Sequence, residues 1–178
     1  PTKQYRSFTS GSWNSPLTWE TLVGACWVPA IQAPSSSDET ITIQNGHTVT
    51  IGTAVTADQI VVATGGAVSI NSSGQLTLNN GIGNDMTVNA GGSVTNRGVI
   101  QLTGSTLTCT SGALTNFGTL QFSSGAVLDL INSTTNLNGN TAITGAGTIN
   151  LNGGVANIQF FVQVPSGIIF NFTSGALQ

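Results

Sequence analysis

The side chains able to carry acid–base, nucleophilic or metal chemistry are few and scattered. Six carboxylates (Glu20, Asp38, Glu39, Asp58, Asp85 and Asp129), three basic residues (Lys3, Arg6 and Arg97) and one histidine (His47) are spread over 178 residues. Glycoside cleavage needs two carboxyl groups about 5 to 9.5 Å apart. Asp58 and Asp85 each stand just before a strand-like run, at Ile60 and Met86, and are the acids best spaced to meet on adjoining turns of a repeat. Acids in that position more often simply start strands in solvent. His47, within Asn45-Gly46-His47-Thr48, has no nucleophile and orienting group spaced to work with it and reads as a turn residue. Asp38 and Glu39 lack the Asp-x-Asp pattern of a calcium loop and read as part of a solvated loop. Two cysteines, Cys26 and Cys109, allow one disulfide without demanding it. Cys109 sits at an apolar position of an alternating run, which favours a buried free thiol. No catalytic residue, metal ligand or cofactor is assigned, and the expectation is a protein that is not an enzyme.

Only 5% of residues are charged and the net charge is −3, where an average soluble domain carries about 25% charged residues. Such a chain has no basic face to neutralise phosphates, which argues against nucleic acid and against polybasic attachment to a membrane surface. No apolar run approaches the ~20 residues of a membrane helix. No signal peptide is visible; in a secreted protein Pro1 would lie after the processing point. The chain holds 26 Thr, 18 Ser, 17 Asn and 23 Gly, while good helix formers are sparse. A hydrophobic fraction of 39% still supplies a core.

The elements are short strands. Ile41–Ile43, Val49–Ile51, Val68–Ile70, Leu76–Leu78, Met86–Val88, Leu107–Cys109 and Ile149–Leu151 alternate apolar and polar residues. Between them lie turn dipeptides that accept positive φ, among them Asn45-Gly46, Gly65-Gly66, Gly91-Gly92 and Asn152-Gly153. Residues 92–102 repeat as 112–122 at an offset of 20: Val94 matches Leu114, Asn96 matches Asn116, and Ile100 matches Leu120. An earlier copy carries an insertion around Gly81–Asp85. A period near 20 with several short strands per period specifies an all-β parallel β-helix, a β-solenoid, for which crossover geometry favours the right hand. Val94, Leu114, Ile100 and Leu120 are the expected core, and Asn96 over Asn116 an expected side-chain ladder. Residues 1–39, with Trp13, Trp19, Trp27 and four of the five prolines, read as an irregular aromatic covering segment; residues 40–178 read as the solenoid.

Trp13-Asn14-Ser15-Pro16-Leu17-Thr18-Trp19, then Val28-Pro29, Asp38, Ile41–Ile43 and Asn45-Gly46-His47-Thr48-Val49-Thr50-Ile51, form one series. It resembles the opening module of large secreted bacterial surface proteins with parallel β-helix repeats. More distantly it is similar to glycine-rich β-helical extracellular modules of animals. Cys26 and Trp27 depart from that pattern, standing where a glycine pair is usual. The resemblance implies a secreted or cell-surface protein, commonly an adhesin or a piece of extracellular matrix, with no catalytic signature. The apolar stretch 158–172 is followed by no polar cap. An uncovered last coil exposes backbone and apolar surface, so the expected partner is a second copy stacked end to end, as in a filament, or the continuation of a larger surface protein. Trp13, Trp19, Trp27, Phe160, Phe161, Phe170 and Phe172 are the assembly candidates. Two alternatives concern the sides of the solenoid. One is carbohydrate binding or processing. The other is ice binding by Thr-x-Thr pairs at Thr40/Thr42, Thr48/Thr50 and Thr106/Thr108/Thr110. Asn71, Asn132 and Asn171 each open a glycosylation acceptor triplet.

Overall fold

The computed structural model describes residues 3–81, 83–138, 141–159 and 163–178. Every strand among them joins one continuous sheet that winds round a single core. The chain opens with β1 (Tyr5–Ser7), β2 (Gly11–Ser12), β3 (Trp19–Val23) and β4 (Cys26–Pro29). Three-sided coils follow: β5 (Ile41–Ile43), β6 (Thr48–Ile51), β7 (Ala54–Ala57), β8 (Ile60–Val62), β9 (Ala67–Ile70), β10 (Gln75–Asn79), β11 (Met86–Val88), β12 (Ser93–Asn96), β13 (Val99–Thr103), β14 (Thr106–Thr110) and β15 (Ala113–Asn116). Then β16 (Thr119–Leu137) and β17 (Ala142–Ile158) each run unbroken round all three sides, and β18 (Ile168–Leu177) runs along two.

Strands stack in parallel register, so each side is a ladder. On the first face Ile41, Ile60, Met86, Leu107, Leu128, Ile149 and Phe170 lie one above another, at separations of 19, 26, 21, 21, 21 and 21 residues. On the second face the column is Val49, Val68, Val94, Leu114, Thr135, Ala156 and Leu177. On the third it is Val55, Leu76, Ile100, Leu120 and Ile143. The period-2 alternation is thus one side chain inward and the next outward. Val94, Leu114, Ile100 and Leu120 are at most 1% exposed. The 26-residue coil contains the Gly81–Asp85 insertion, which lengthens the corner between the third and first faces.

The corner between the first and second faces shows why glycine recurs. Gly46, Gly65, Gly91, Ser111, Asn132 and Gly153 take this place on successive coils, and all have φ between 49° and 81°. Gly46 N–H donates to Gly65 O, Gly65 N–H to Gly91 O and Gly91 N–H to Ser111 O, at 3.0 to 3.2 Å. The turn needs a left-handed residue on every coil. Glycine supplies it without strain, and Asn tolerates it.

The N-terminal segment departs from the coil pattern but belongs to the same sheet. β1 pairs in parallel with β5 and β2 with β6, while β3 lies antiparallel to β1 and β4 antiparallel to β3. Trp13 and Trp19, each 1% exposed, pack edge to face at 5.1 Å in the core beneath this cap. Trp19 Nε1 donates to Trp13 O and Trp13 Nε1 to Pro34 O, which satisfies both buried indoles. Arg6 bridges to Glu20 at 2.7 Å and stacks over the Trp27 ring at 4.5 Å, clasping β1, β3 and β4 together.

The corner column yields a paired test. Gly91→Ala should lower stability by about 1–2 kcal/mol, whereas Ser111→Gly, at the same corner one coil on, should leave it unchanged or raise it. Urea denaturation midpoints of the two variants measure the difference.

Candidate functional site

Asn96 and Asn116 end β12 and β15, point inward and are fully buried. Asn96 Nδ2 donates to Asn116 Oδ1 at 2.6 Å and to Thr119 O at 3.0 Å; Asn96 Oδ1 accepts from Gly98 N–H at 3.0 Å. Asn116 Nδ2 in turn donates to Gly118 O and Thr141 Oγ1. The two amides take the core place that Ile70 holds one coil earlier. They bind backbone groups of the tight corner between the second and third faces, so the ladder is a structural device.

Asp58 and Asp85 do meet on adjoining coils, at the corner between the third and first faces. Their geometry is that of a clamp. Asp85 is 1% exposed. One of its oxygens accepts from Gly81 N–H at 2.7 Å and the other from Thr106 N–H at 2.5 Å, which holds the inserted loop onto the next coil. Asp58 lies against it. Burial first, then a hydrogen bond to Asp85 and the Asp85 charge, push the Asp58 pKa up. The two carboxyls are in direct hydrogen-bond contact, closer than the 5 to 9.5 Å that glycosidase pairs keep.

His47 Nδ1 lies 2.9 Å from Ser7 Oγ, which also accepts from Gln44 N–H at 2.9 Å. Ser7 is fully buried, so this pair ties β1 to the coil below rather than offering a nucleophile to solvent. Asp38 caps its own loop by accepting from Ser35 N–H and Ser35 Oγ. Among the described residues no three metal-ligating side chains of the His, Cys, Asp and Glu types are gathered. The two cysteines are both free: Cys26 is exposed at the tip of the β3–β4 hairpin, and Cys109 is buried in the core, where burial raises its thiol pKa. A bridge between them is ruled out by that separation. No helix among the described residues is long and apolar enough to cross a membrane.

The threonine motifs fall on two different faces. Thr42 and Thr108 lie in one outward column of the first face, with Val61 and Thr87 between them and Asp129 after them. Thr48 and Thr50 open the second face, where Ala67 and Ser69 follow. The Thr-x-Thr pairs therefore do not stack into one array. The outward column of the first face ends differently: Asn171 Nδ2 donates to Asn150 Oδ1 at 2.8 Å, and Asn150 Nδ2 to Asp129 Oδ1 at 2.5 Å. A cleft of about 530 Å³ lies over these residues, flanked by Ile131, Asn152 and Thr173. Sequence reasoning missed it, because its residues come together only through the 21-residue register.

Of the assembly candidates, Trp13 and Trp19 are interior and cannot meet a partner. Trp27 is half-buried under Arg6. Phe160 and Phe161 lie outside the described residues. Phe170 and Phe172 stand on the last rung, 36% and 49% exposed, directly over Ile149 and Leu151, which are 3% and 0% exposed. Four exposed apolar residues of the N-terminal segment (Phe8, Leu17, Val23 and Ile31) were not singled out from sequence. No family model, curated protein or solved structure matches this chain.

Two tests follow from the buried polar groups. Asn116→Ala should cost about 1–3 kcal/mol, since it strands one Asn96 N–H and removes the donor to Gly118 O and Thr141 Oγ1; chemical denaturation reads this directly. For Asp58 the folded-state pKa is raised, so its contribution is present below the ordinary value of 3.8 and is lost as pH rises through the folded value. Stability should therefore fall from about pH 4 toward neutrality. Asp58→Asn, which keeps a donor facing Asp85 at every pH, should flatten that slope and raise the melting midpoint at pH 7.

Proposed function

We propose that this chain is a non-enzymatic structural module of a secreted or cell-surface protein: a rigid rod extended along its axis from the β18 end. The observation carrying this reading is the contrast between the two ends. At the β18 end the inner column simply stops. Phe170 and Phe172 continue the stack of Leu128–Ile149 and Leu130–Leu151, and the outer edge of β18 carries no further strand among the described residues. An unpaired edge above an open apolar stack is a template for another rung. That rung comes from further coils of the same protein or from a second copy.

The other end is covered by extra strands on the first face. The outer edge of β1 is taken by β3, and that of β3 by β4. Ala30 N–H donates to Trp19 O, so strand alternation turns the backbone nitrogen of residue 29 toward the outer edge. That residue is proline, and the edge lacks the donor there. Proline on an edge strand is a common guard against pairing. Head-to-tail stacking, which would run on into a filament, is therefore disfavoured. Two copies meeting at their β18 ends form a closed pair instead. With the two-fold axis at Asn171, antiparallel pairing sets Phe170 against Phe172 of the second copy, both on the inner side, and Asn171 against Asn171.

Light scattering and negative-stain microscopy of the purified chain across concentration test this. The expected result is a monomer–dimer equilibrium that Phe172→Asp shifts to monomer, with the circular dichroism spectrum unchanged. Open filaments would overturn the closed N-terminal end, and a strict monomer at every concentration would overturn self-association.

A further inference from the structure

The outward cleft of the first face has a chemistry that the rod reading does not use. Three successive rungs place Asp129, Asn150 and Asn171 in one column, with Ile131 and Asn152 in the next. The hydrogen bonds within the column all run one way, each carboxamide donating to the rung before it. Each link consumes one N–H and one oxygen. A carboxamide owns two N–H donors and a carbonyl acceptor, and a carboxylate two acceptor oxygens. Asn150 thus keeps one donor, Asn171 one donor and its carbonyl, and Asp129 its second oxygen. Rungs about 4.8 Å apart repeat this mixture of donors and acceptors at fixed spacing. The chain of amides also holds each group in place before a ligand arrives, which lowers the ordering cost of binding.

The ligand class follows from what lines the cleft. No basic side chain is among the lining residues, so an anionic ligand has no counter-charge. A single carboxylate already bonded to an amide is a poor cation site. Alternating donors and acceptors beside an apolar wall, Ile131 and Phe172, suit a molecule with many hydroxyls and exposed C–H faces. The volume, about 530 Å³, falls in the range of small-molecule sites. We infer that this cleft is a binding subsite for a neutral oligosaccharide, held by Asp129, Asn150 and Asn171. The inference goes beyond the rod reading, and the cleft lies within one chain; it shares Asn171 and Phe172 with the proposed β18 contact, so binding and pairing are measured separately.

Isothermal titration calorimetry of the full 178-residue chain tests it, with cellohexaose, mannohexaose and xylohexaose as neutral probes and a heparin-derived hexasaccharide as the anionic one. The expected result is binding of at least one neutral probe, weakened tenfold or more by Asn150→Leu and unchanged by Thr95→Val on the second face. Asn152→Ala, at an exposed position, gives a second reading if Asn150→Leu unfolds, and should weaken the same probe. No binding of any neutral probe, binding of the anionic probe alone, or neutral binding untouched by both cleft substitutions would overturn the inference. Light scattering on the same samples keeps this outcome separate from that of the assembly test.

Discussion

Everything in this molecule depends on the parallel register of its rungs. Each strand satisfies its backbone by bonding to the strand one coil before and one coil after, and the coils have no other way to do so. Register forces every residue to sit on the residue about 21 positions away. An inward leucine therefore sits on the inward residue of the next coil, apolar in most columns and a buried polar group at Thr135 and Asn116, and a corner with positive φ recurs on the next coil too. The same constraint explains the scarcity of charge. Rungs about 4.8 Å apart would set like charges on top of each other. The outward column of the first face shows the solution, with one carboxylate, Asp129, followed by two neutral amides that donate toward it. Asp58 and Asp85 are the exception, two acids on adjoining coils. Burial, and then the neighbouring Asp85, push the Asp58 pKa up.

What could be read from the sequence was whatever stays constant from coil to coil. The offset of 20 between residues 92–102 and 112–122 is the true register: Val94 pairs with Leu114, Asn96 with Asn116 and Ile100 with Leu120. The Gly46, Gly65, Gly91 and Gly153 turns are likewise local, since each dipeptide declares its own backbone conformation. What could not be read was the face on which each strand falls. Coil lengths of 19 and 26 residues break the period before it settles at 21. Spacing alone then does not say which early threonine pair shares a face with Thr106, Thr108 and Thr110; Thr42 does, and Thr48 and Thr50 lie on the second face. The column Asp129–Asn150–Asn171 was hidden for a different reason. An aspartate and two asparagines do not look like a repeat until their shared spacing is imposed.

The N-terminal segment illustrates the limit of pattern reading more sharply. Trp19-Glu20-Thr21-Leu22-Val23 has no clean apolar alternation, because β3 lies between two strands at the end of the rod instead of between coils. Its inward residues are an indole and a threonine, and its partner strand ends in proline. Aromatic content pointed to a covering role over one end or side of the solenoid, and Trp13 and Trp19 were also assembly candidates. The physical reason they are interior is geometric. The first coil has only the short strands β1 and β2 before it, so the rest of its inner column is closed by something wide, and two indoles packed edge to face close it. Their N–H groups bond to Trp13 O and Pro34 O, so neither indole is stranded.

The two ends then differ in kind. One is shut by side chains too large to stack and by a strand whose outer edge lacks a donor at Pro29. The other ends on Phe170 and Phe172, side chains of ordinary core character in the ordinary core columns, with half their surface open. On the first face the two ends therefore differ: β1 is followed outward by β3 and β4, while β18 carries no further strand among the described residues. Its long faces carry little charge and hold side chains at rung spacing, because the backbone ladder leaves them no freedom to drift. The fold that excludes charge for its own stability thereby creates, on the first face, a row of aligned amides with donors and acceptors unspent. Binding chemistry there is a consequence of the same register that holds the core.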